Sequence, residues 1–454
     1  MVIWNIPVER KNVDWLIRLL SRWKANTSPC EFKTSGSDPW PQPPGNEGHI
    51  KMNASNRSLS LLSSNISDKS IQIMHRKIVQ DLVDYFEEHT DVQDAFKEAF
   101  DKASSFDIMR KFNIRTLDDY LAFYDSMLVW TPSEDFSATQ VYGHLCVFYY
   151  VLDLPPMLNH QVPGLTSEGH TWLSDWLVKY AKELGNFMDT PESISEETTG
   201  SFYGAAAYHM EDYPIPPGGW RTFNEFFARK INPDVRPIAA PGDHNVIVSP
   251  ADCYYSGSFP IDESGEIVVK GIPWKITELL KDEDYGETFA EGKFTHCYLT
   301  PYDYHRQHAP VEGRIIQAKV IPGICYLGVT VQLERGVPTI VPRRRLNPDL
   351  ASGDETDSRG YQIMQTRGMI LIENPVLGIV GVLIIGMAQA SSVILSVQTG
   401  DYVNKGQEIA YFQMGGSDVI MVFQKSAADT ITFPKPTSPP AQFKMGSWFA
   451  TSSA

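Results

Sequence analysis

The side-chain period of this chain changes near residue 236. Before that point apolar residues recur at helical spacing, and after it short β-prone runs alternate with turns. The change predicts an α+β protein, with a mainly helical N-terminal region over 1–235 and a β-rich domain over 236–454. The chain's 32 glycines and 31 prolines argue independently against a simple helical bundle.

Within the first region, Asn12 precedes a helix predicted over 13–23. Ser70 precedes another over 71–89, where Ile71, Met74, Ile78, Leu82 and Phe86 recur close to a helical stripe. Ala95, Phe96, Ala99 and Phe100 mark a third helix. Thr116 is placed to cap a fourth over 117–130, with Asp119 as the acidic member of a capping box. Further helices are expected over Val141–Leu154 and Thr171–Leu184, the latter stopped by Gly185 and Asn186.

In the second region, strands are expected at Val246–Val248, Glu266–Val269, Phe294–Thr300, Gly313–Val320 and Met369–Ile372. Others are expected at Val382–Ile385, Val393–Val397, Glu408–Phe412 and Val419–Phe423. The polar stretch from Leu333 to Arg359 reads as a long loop or lid. The most apolar stretch, Met369–Val397, contains Glu373, Asn374, Pro375 and repeated glycines, which suit buried strands better than one membrane-spanning helix.

Charge narrows the function classes. With 39 basic and 55 acidic residues the net charge is -16, a field that repels nucleic acid, and the Arg343-Arg344-Arg345 run suits a solvated loop. Five scattered cysteines form no CxxC pair, and the first residues lack the uninterrupted apolar core of a signal peptide. A soluble, cytoplasmic protein with no integral membrane anchor is therefore expected. Sequons at Asn53 and Asn65 read as chance matches in polar loops.

Three separated segments carry the chemistry. Asp252 follows the first predicted strand, where an isolated Asp ordinarily caps a turn. His305 and His308 would share a face of a helical turn, although flanking prolines suit a tight loop equally well. No third ligand stands at a recognised spacing, so no metal is expected. Gly415-Gly416-Ser417-Asp418 allows a sharp turn and exposes the Gly416 carbonyl, but matches neither a hydrolase elbow nor a phosphate-binding loop.

Taken with Phe223-Asn224-Glu225-Phe226-Phe227-Ala228-Arg229-Lys230, Arg236-Pro237, the Asp303–Gly313 segment and Lys405-Gly406-x-Glu408, these segments resemble the phosphatidylserine decarboxylase family. The likeness spans about 222–446 and includes the family's pyruvoyl-dependent amino-acid decarboxylase relatives. It implies a zymogen with a β-rich pyruvoyl-dependent decarboxylase core. Asp252, His308 and Ser417 match a self-processing triad, and His305 matches a histidine associated with decarboxylation. The implied cleavage lies between Gly416 and Ser417, leaving a C-terminal chain of 454 minus 416, or 38, residues. Ser417 becomes a covalent pyruvoyl group, an electron sink that makes pyridoxal phosphate unnecessary.

The sequence departs from members acting on phosphatidylserine at Asp418, where Thr is usual, and at Pro375-Val376, where Glu-Arg is usual. These departures, with the lack of an apparent anchor, favour the soluble fungal tryptophan-decarboxylase branch. The expected reaction is decarboxylation of a free aromatic L-amino acid, L-tryptophan to tryptamine. The alternatives are conversion of phosphatidylserine to phosphatidylethanolamine, and an unprocessed binding or scaffold protein. Expected partners are a small-molecule amino acid, the cleaved C-terminal chain and optionally a second copy in a homodimer, with no nucleic acid. Substrate-binding residues are not legible at this level.

Overall fold

A computed structural model describes residues 75–161, 170–269, 272–334, 337–342, 364–388 and 392–454. All of these fall within the unit Gln72–Ala454. The helix expected over 13–23, both sequons, the Arg343-Arg344-Arg345 run and the polar stretch beyond Pro342 as far as Arg359 lie outside the described residues.

The principal helices follow the apolar stripes. Helix α1 (Lys77–Glu88) buries Ile78, Val79, Leu82 and Phe86, and α2 (Thr90–Ser104) buries Val92, Phe96, Ala99, Phe100 and Ala103. At α3 (Leu117–Met127) the capping box is complete: the Asp119 amide donates to Thr116 Oγ1 at 3.1 Å, and Asp119 Oδ2 accepts from the Thr116 amide at 2.9 Å. Helix α4 (Gln140–Tyr150) is almost wholly buried. Helix α5 (Trp172–Met188) runs through Gly185 and Asn186, where a stop was expected. Leu184 and Met188 continue its buried stripe across the glycine. Their burial outweighs the ~1 kcal/mol that a mid-helix glycine costs. The short α6 (Phe223–Phe227) starts at Thr222, whose Oγ1 accepts from the Glu225 amide at 3.1 Å.

The strands begin with β1 (Val246–Val248), β2 (Cys253–Pro260), and the hairpin of β3 (Glu266–Val269) and β4 (Ile272–Lys275). Next come β5 (Lys293–Leu299), β6 (Arg306–His308) and β7 (Gly313–Ile321). Strands β8 (Val329–Glu334) and β9 (Val337–Pro342) pair as a hairpin with Val331 opposite Ile340, so the expected polar loop starts as sheet. Alternate β-branched residues in both arms override its polar composition.

The Met369–Val397 stretch forms β10 (Arg367–Asn374), β11 (Gly378–Met387) and β12 (Val393–Leu395). Asn374 makes the turn between the first two: its Oδ1 accepts from the Val376 and Leu377 amides, each at 2.9 Å, and its Nδ2 donates to the Glu312 carbonyl at 2.8 Å. The remaining strands are β13 (Tyr402–Val403), β14 (Glu408–Phe412), β15 (Gly416–Phe423), β16 (Ile431–Thr432), β17 (Gln442–Phe443) and β18 (Trp448–Ser452).

Eight strands form one antiparallel sheet in the order β13-β7-β10-β11-β15-β5-β2-β17. Strand alternation gives it two apolar faces. Val419, Met421, Ile370 and Ile384 join the cluster that also contains the helices, while Ile420, Val422, Leu371 and Leu383 join a second cluster with Leu279 and Phe289. This is the α+β architecture expected from the change of period. A smaller sheet, β12-β14-β6, lays His308 beside Glu408. The two histidines therefore flank and end a strand and share no helical turn, because the preceding segment closes as a loop before Arg306.

Candidate active site

Two antiparallel partners flank the segment that holds Ser417. In β15, Ser417 stands opposite Gly386 of β11 and Leu299 of β5. Leu299 ends its strand and leads into the Thr300–His305 loop. At the far end of that loop the His305 carbonyl accepts from the Phe412 amide at 3.0 Å, at the end of β14. The loop is thus tied to the chain on both sides of the Gly415–Gly416 link. Gly415 has φ +151°, a region that side chains avoid.

The loop is closed by Asp303. Its Oδ2 accepts from the Thr300 amide at 2.7 Å and the Thr300 hydroxyl at 2.6 Å, and its Oδ1 accepts from Gln442 Nε2 at 3.0 Å. Burial raises the Asp303 carboxyl to about 6, outweighing those donors.

His308 is held at both ring nitrogens. Nδ1 donates to the Gly406 carbonyl at 2.7 Å, and Nε2 accepts from the Tyr304 hydroxyl at 3.0 Å. A carbonyl partner fixes the proton on Nδ1 and leaves the lone pair on Nε2, the tautomer of a general base. Burial lowers the His308 pKa, opposed by the Gly406 carbonyl and by the charges of Glu408 and Asp252. Gly406 itself sits at φ +80°.

Asp252 is buried beneath this group. Its Oδ1 accepts from Arg236 Nε at 3.0 Å and from the Met445 amide at 2.8 Å, while its Oδ2 accepts from Arg236 Nη2 at 2.7 Å. Lys444 Nζ lies 3.5 Å from Oδ2. No hydrogen bond joins Asp252 to His308 among the described residues; the two interact through space. Asp252 and Asp303 also line a cavity of about 210 Å³ with Tyr208, Tyr213, Arg236 and Lys444.

The imidazole of His305 is fully buried and stacks on Phe227, with centroids 3.9 Å apart and planes at 27°. Phe227 lies on α6, whose Asn224 Oδ1 accepts from the Met414 amide at 3.0 Å. One short helix therefore supports both the histidine and the approach to Gly416. Between the histidines, Arg306 Nη1 donates to Glu408 Oε1 at 2.7 Å and Nε to the Ala228 carbonyl at 2.7 Å.

The structure thus ties the loop ending at His305 to the strands on both sides of the Gly416–Ser417 link, sets His308 at the end of β6 in a separate sheet against β14, and ties Asp252 to Arg236. Sequence reasoning gave no roles to Arg236, Tyr304, Gly406, Asn224 and Phe227. All of them stand inside the segments quoted for the resemblance, yet nothing in their spacing names their partners. Among the described residues no group of three His, Cys, Asp or Glu is arranged to hold a metal ion, and no helix is long and apolar enough to cross a membrane.

A family model described as phosphatidylserine decarboxylase matches residues 223–450. Among similar proteins, phosphatidylserine decarboxylase proenzyme 2 of Oryza sativa subsp. japonica is 30% identical over 259 residues, covering 57% of this chain and 38% of the relative. The phosphatidylserine decarboxylase proenzyme of Fusobacterium nucleatum subsp. nucleatum is 30% identical over 255 residues, 56% of this chain and 74% of the relative. Decarboxylase iboD of Amanita muscaria is 26% identical over 286 residues, 60% of this chain and 80% of the relative.

These findings correct the expectation of a free aromatic L-amino acid as substrate and partner, and with it the assignment to a tryptophan-decarboxylase branch. They point to the phospholipid alternative. Of the departures that had favoured the amino acid, only Asp418 has a side-chain partner among the described residues, and nothing in the structure explains Pro375-Val376. Asn374 builds the β10–β11 turn, to which Val376 lends only its backbone amide, and Asp418 pairs with His296 on the sheet face opposite Val419.

Proposed function

The chain belongs to the phosphatidylserine decarboxylase family, and from that premise we propose that it is a self-processing decarboxylase acting on the serine headgroup of phosphatidylserine. A covalent pyruvoyl group generated by autocatalytic serinolysis is characteristic of this family, and membership implies pyruvoyl-dependent carboxy-lyase activity in general. The observation that carries the reading for this chain is the double tie of the Thr300–His305 loop, at Leu299 opposite Ser417 and at Phe412 before Gly416.

In the proposed processing, His308 takes the Ser417 hydroxyl proton on Nε2 after Tyr304 gives up that position. The Ser417 oxygen bonds to the Gly416 carbonyl carbon and the Gly416–Ser417 C–N bond breaks, converting the peptide to an ester with a free amine. Loss of the Ser417 α-proton with cleavage of the ester C–O bond leaves a Gly416 carboxylate and a dehydroalanine. One water then releases ammonia and leaves the pyruvoyl group. Asp252, held by Arg236, supplies a fixed negative charge that favours the imidazolium formed on His308. The retained 38-residue chain is held by pairing of β15 with β11 and β5 and of β18 with β1.

When formed, the pyruvoyl group supplies an electron sink for the loss of carbon dioxide from an α-amino acid. His305, fixed by its stack on Phe227, is assigned delivery of a proton to the α-carbon.

The test is intact mass under denaturing conditions, followed by assay on phosphatidylserine vesicles with carbon dioxide and phosphatidylethanolamine measured together. Two chains and matched release of both products are expected. A single uncut chain, or a cut chain that turns over free amino acids and not the lipid, overturns the reading.

A further inference from the structure

A buried histidine–carboxylate pair lies under the strand that would be cut. His296 Nε2 donates to Asp418 Oδ2 at 3.0 Å, and both side chains are 1% exposed. In the sheet register His296 of β5 stands opposite Ile420 of β15, while Asp418 stands opposite Tyr298. The bond is therefore diagonal, reaching two residues back along the same face toward residue 417. On that face Ile420, Val422, Leu383 and Ile385 pack as one cluster, and the buried Arg367 stands opposite Ile385. His296 Nδ1 has no hydrogen-bond partner among the described residues.

Stability alone does not explain a polar pair at this place, because a well-packed apolar pair of similar volume is commonly as stable as a buried polar one. What the hydrogen-bonded pair adds is direction. Apolar burial forbids a one-residue slip, which would exchange the two faces, but a two-residue slip keeps each side chain on its face, and a carboxylate that must meet one imidazole nitrogen forbids that slip too. The need for such a device arises when the Gly416–Ser417 bond is broken. Residue 417 then becomes a chain terminus, and termini fray unless tied. The contact of Asn224 with the Met414 amide stays with the other chain and cannot hold the new end.

We propose that His296 and Asp418 form a clamp that keeps the new terminus at residue 417 in register on the sheet after cleavage. The pair acts as a positioning device one residue from the reacting position and contributes no atom to the chemistry. This inference rests on the self-cleavage reading above.

The test compares wild type with His296→Leu/Asp418→Leu, which keeps the site apolar and buried, and with His296→Gln, which keeps a donor. Intact mass first establishes cleavage. Amide hydrogen exchange at 418–420 is then measured in the cut proteins and in the uncut Ser417→Ala background. The double Leu variant should exchange at least tenfold faster than wild type at these amides when cut, and equally when uncut. On phosphatidylserine vesicles its kcat should fall with little change in KM, and His296→Gln should recover most of both properties. Equal exchange in the cut wild-type and double-variant proteins overturns the clamp alone. A wild-type chain that is never cut overturns the cleavage reading and the clamp with it.

Discussion

Asp252 accepts both Arg236 Nε and Nη2, at 3.0 and 2.7 Å, and does so with neither side chain more than 7% exposed. The carboxylate is thereby spent on a guanidinium while His308 takes its orientation from Gly406 and Tyr304. Removing Arg236 leaves a buried carboxylate facing only the Met445 amide and Lys444. Arg236→Met should cost about 3 to 5 kcal/mol in denaturant unfolding. Asp252→Asn should slow two-chain maturation more than it lowers stability. Wild-type maturation of Asp252→Asn would limit Asp252 to a structural role.

Ser417→Ala removes the attacking oxygen and should remain a single 51.0 kDa chain on denaturing mass analysis, with no pyruvoyl group. Normal cleavage of this variant would exclude serinolysis at 417.

Gly406→Ala tests the support of His308 without touching the ring. A Cβ at this position would lie 2.4 Å from Ile238 Cδ1, on a backbone at φ +80°. The loop must shift, at a cost of about 1 to 3 kcal/mol, and the carbonyl that accepts from His308 moves with it. Maturation followed by gel should slow at least tenfold. An unchanged rate would show that this carbonyl does not hold the base.

His305→Gln should mature into two chains yet release little carbon dioxide from phosphatidylserine, a loss of 10²-fold or more if it delivers a proton in the rate-limiting step. Failure to mature would move His305 into the processing step.

The pH response follows from two shifts of opposite sign. Burial holds His308 below its ordinary 6.5, so the base form persists at and above that pH. The maturation rate should be flat above about pH 6.5 and fall only below it. Stability from this group is likewise present above 6.5 and lost as pH falls through the lower folded value, since the unfolded chain takes up the proton first. Asp303 behaves oppositely. Its folded value of about 6 exceeds the ordinary 3.8, so its contribution is present below 3.8 and lost as pH rises toward 6. Denaturant unfolding of Asp303→Asn should lose that slope between about pH 4 and 6.

Much of the scaffold was legible because local rules were strong enough to survive packing. The Thr116–Asp119 capping box, the stripe of α2, and the strands at Val246–Val248 and Glu408–Phe412 were all readable from spacing and β-branching. Glycine was a weaker guide: Gly185 did not end α5 because burial of Leu184 and Met188 carried the helix past it. The apolar stretch over 369–397 was readable as sheet because its charge and turn residues could not be dehydrated in one helix.

What sequence order alone determined was the alternation of helix and strand, and the set of segments in which reactive residues stand. Which of those residues touch was decided by tertiary structure. His308 meets Tyr304 across four residues, but it meets Gly406 across 98, and His296 meets Asp418 across 122. Hydrogen bonds and ion pairs of that span depend on strand order and on a register held jointly by every strand in the sheet, so no local period encodes them.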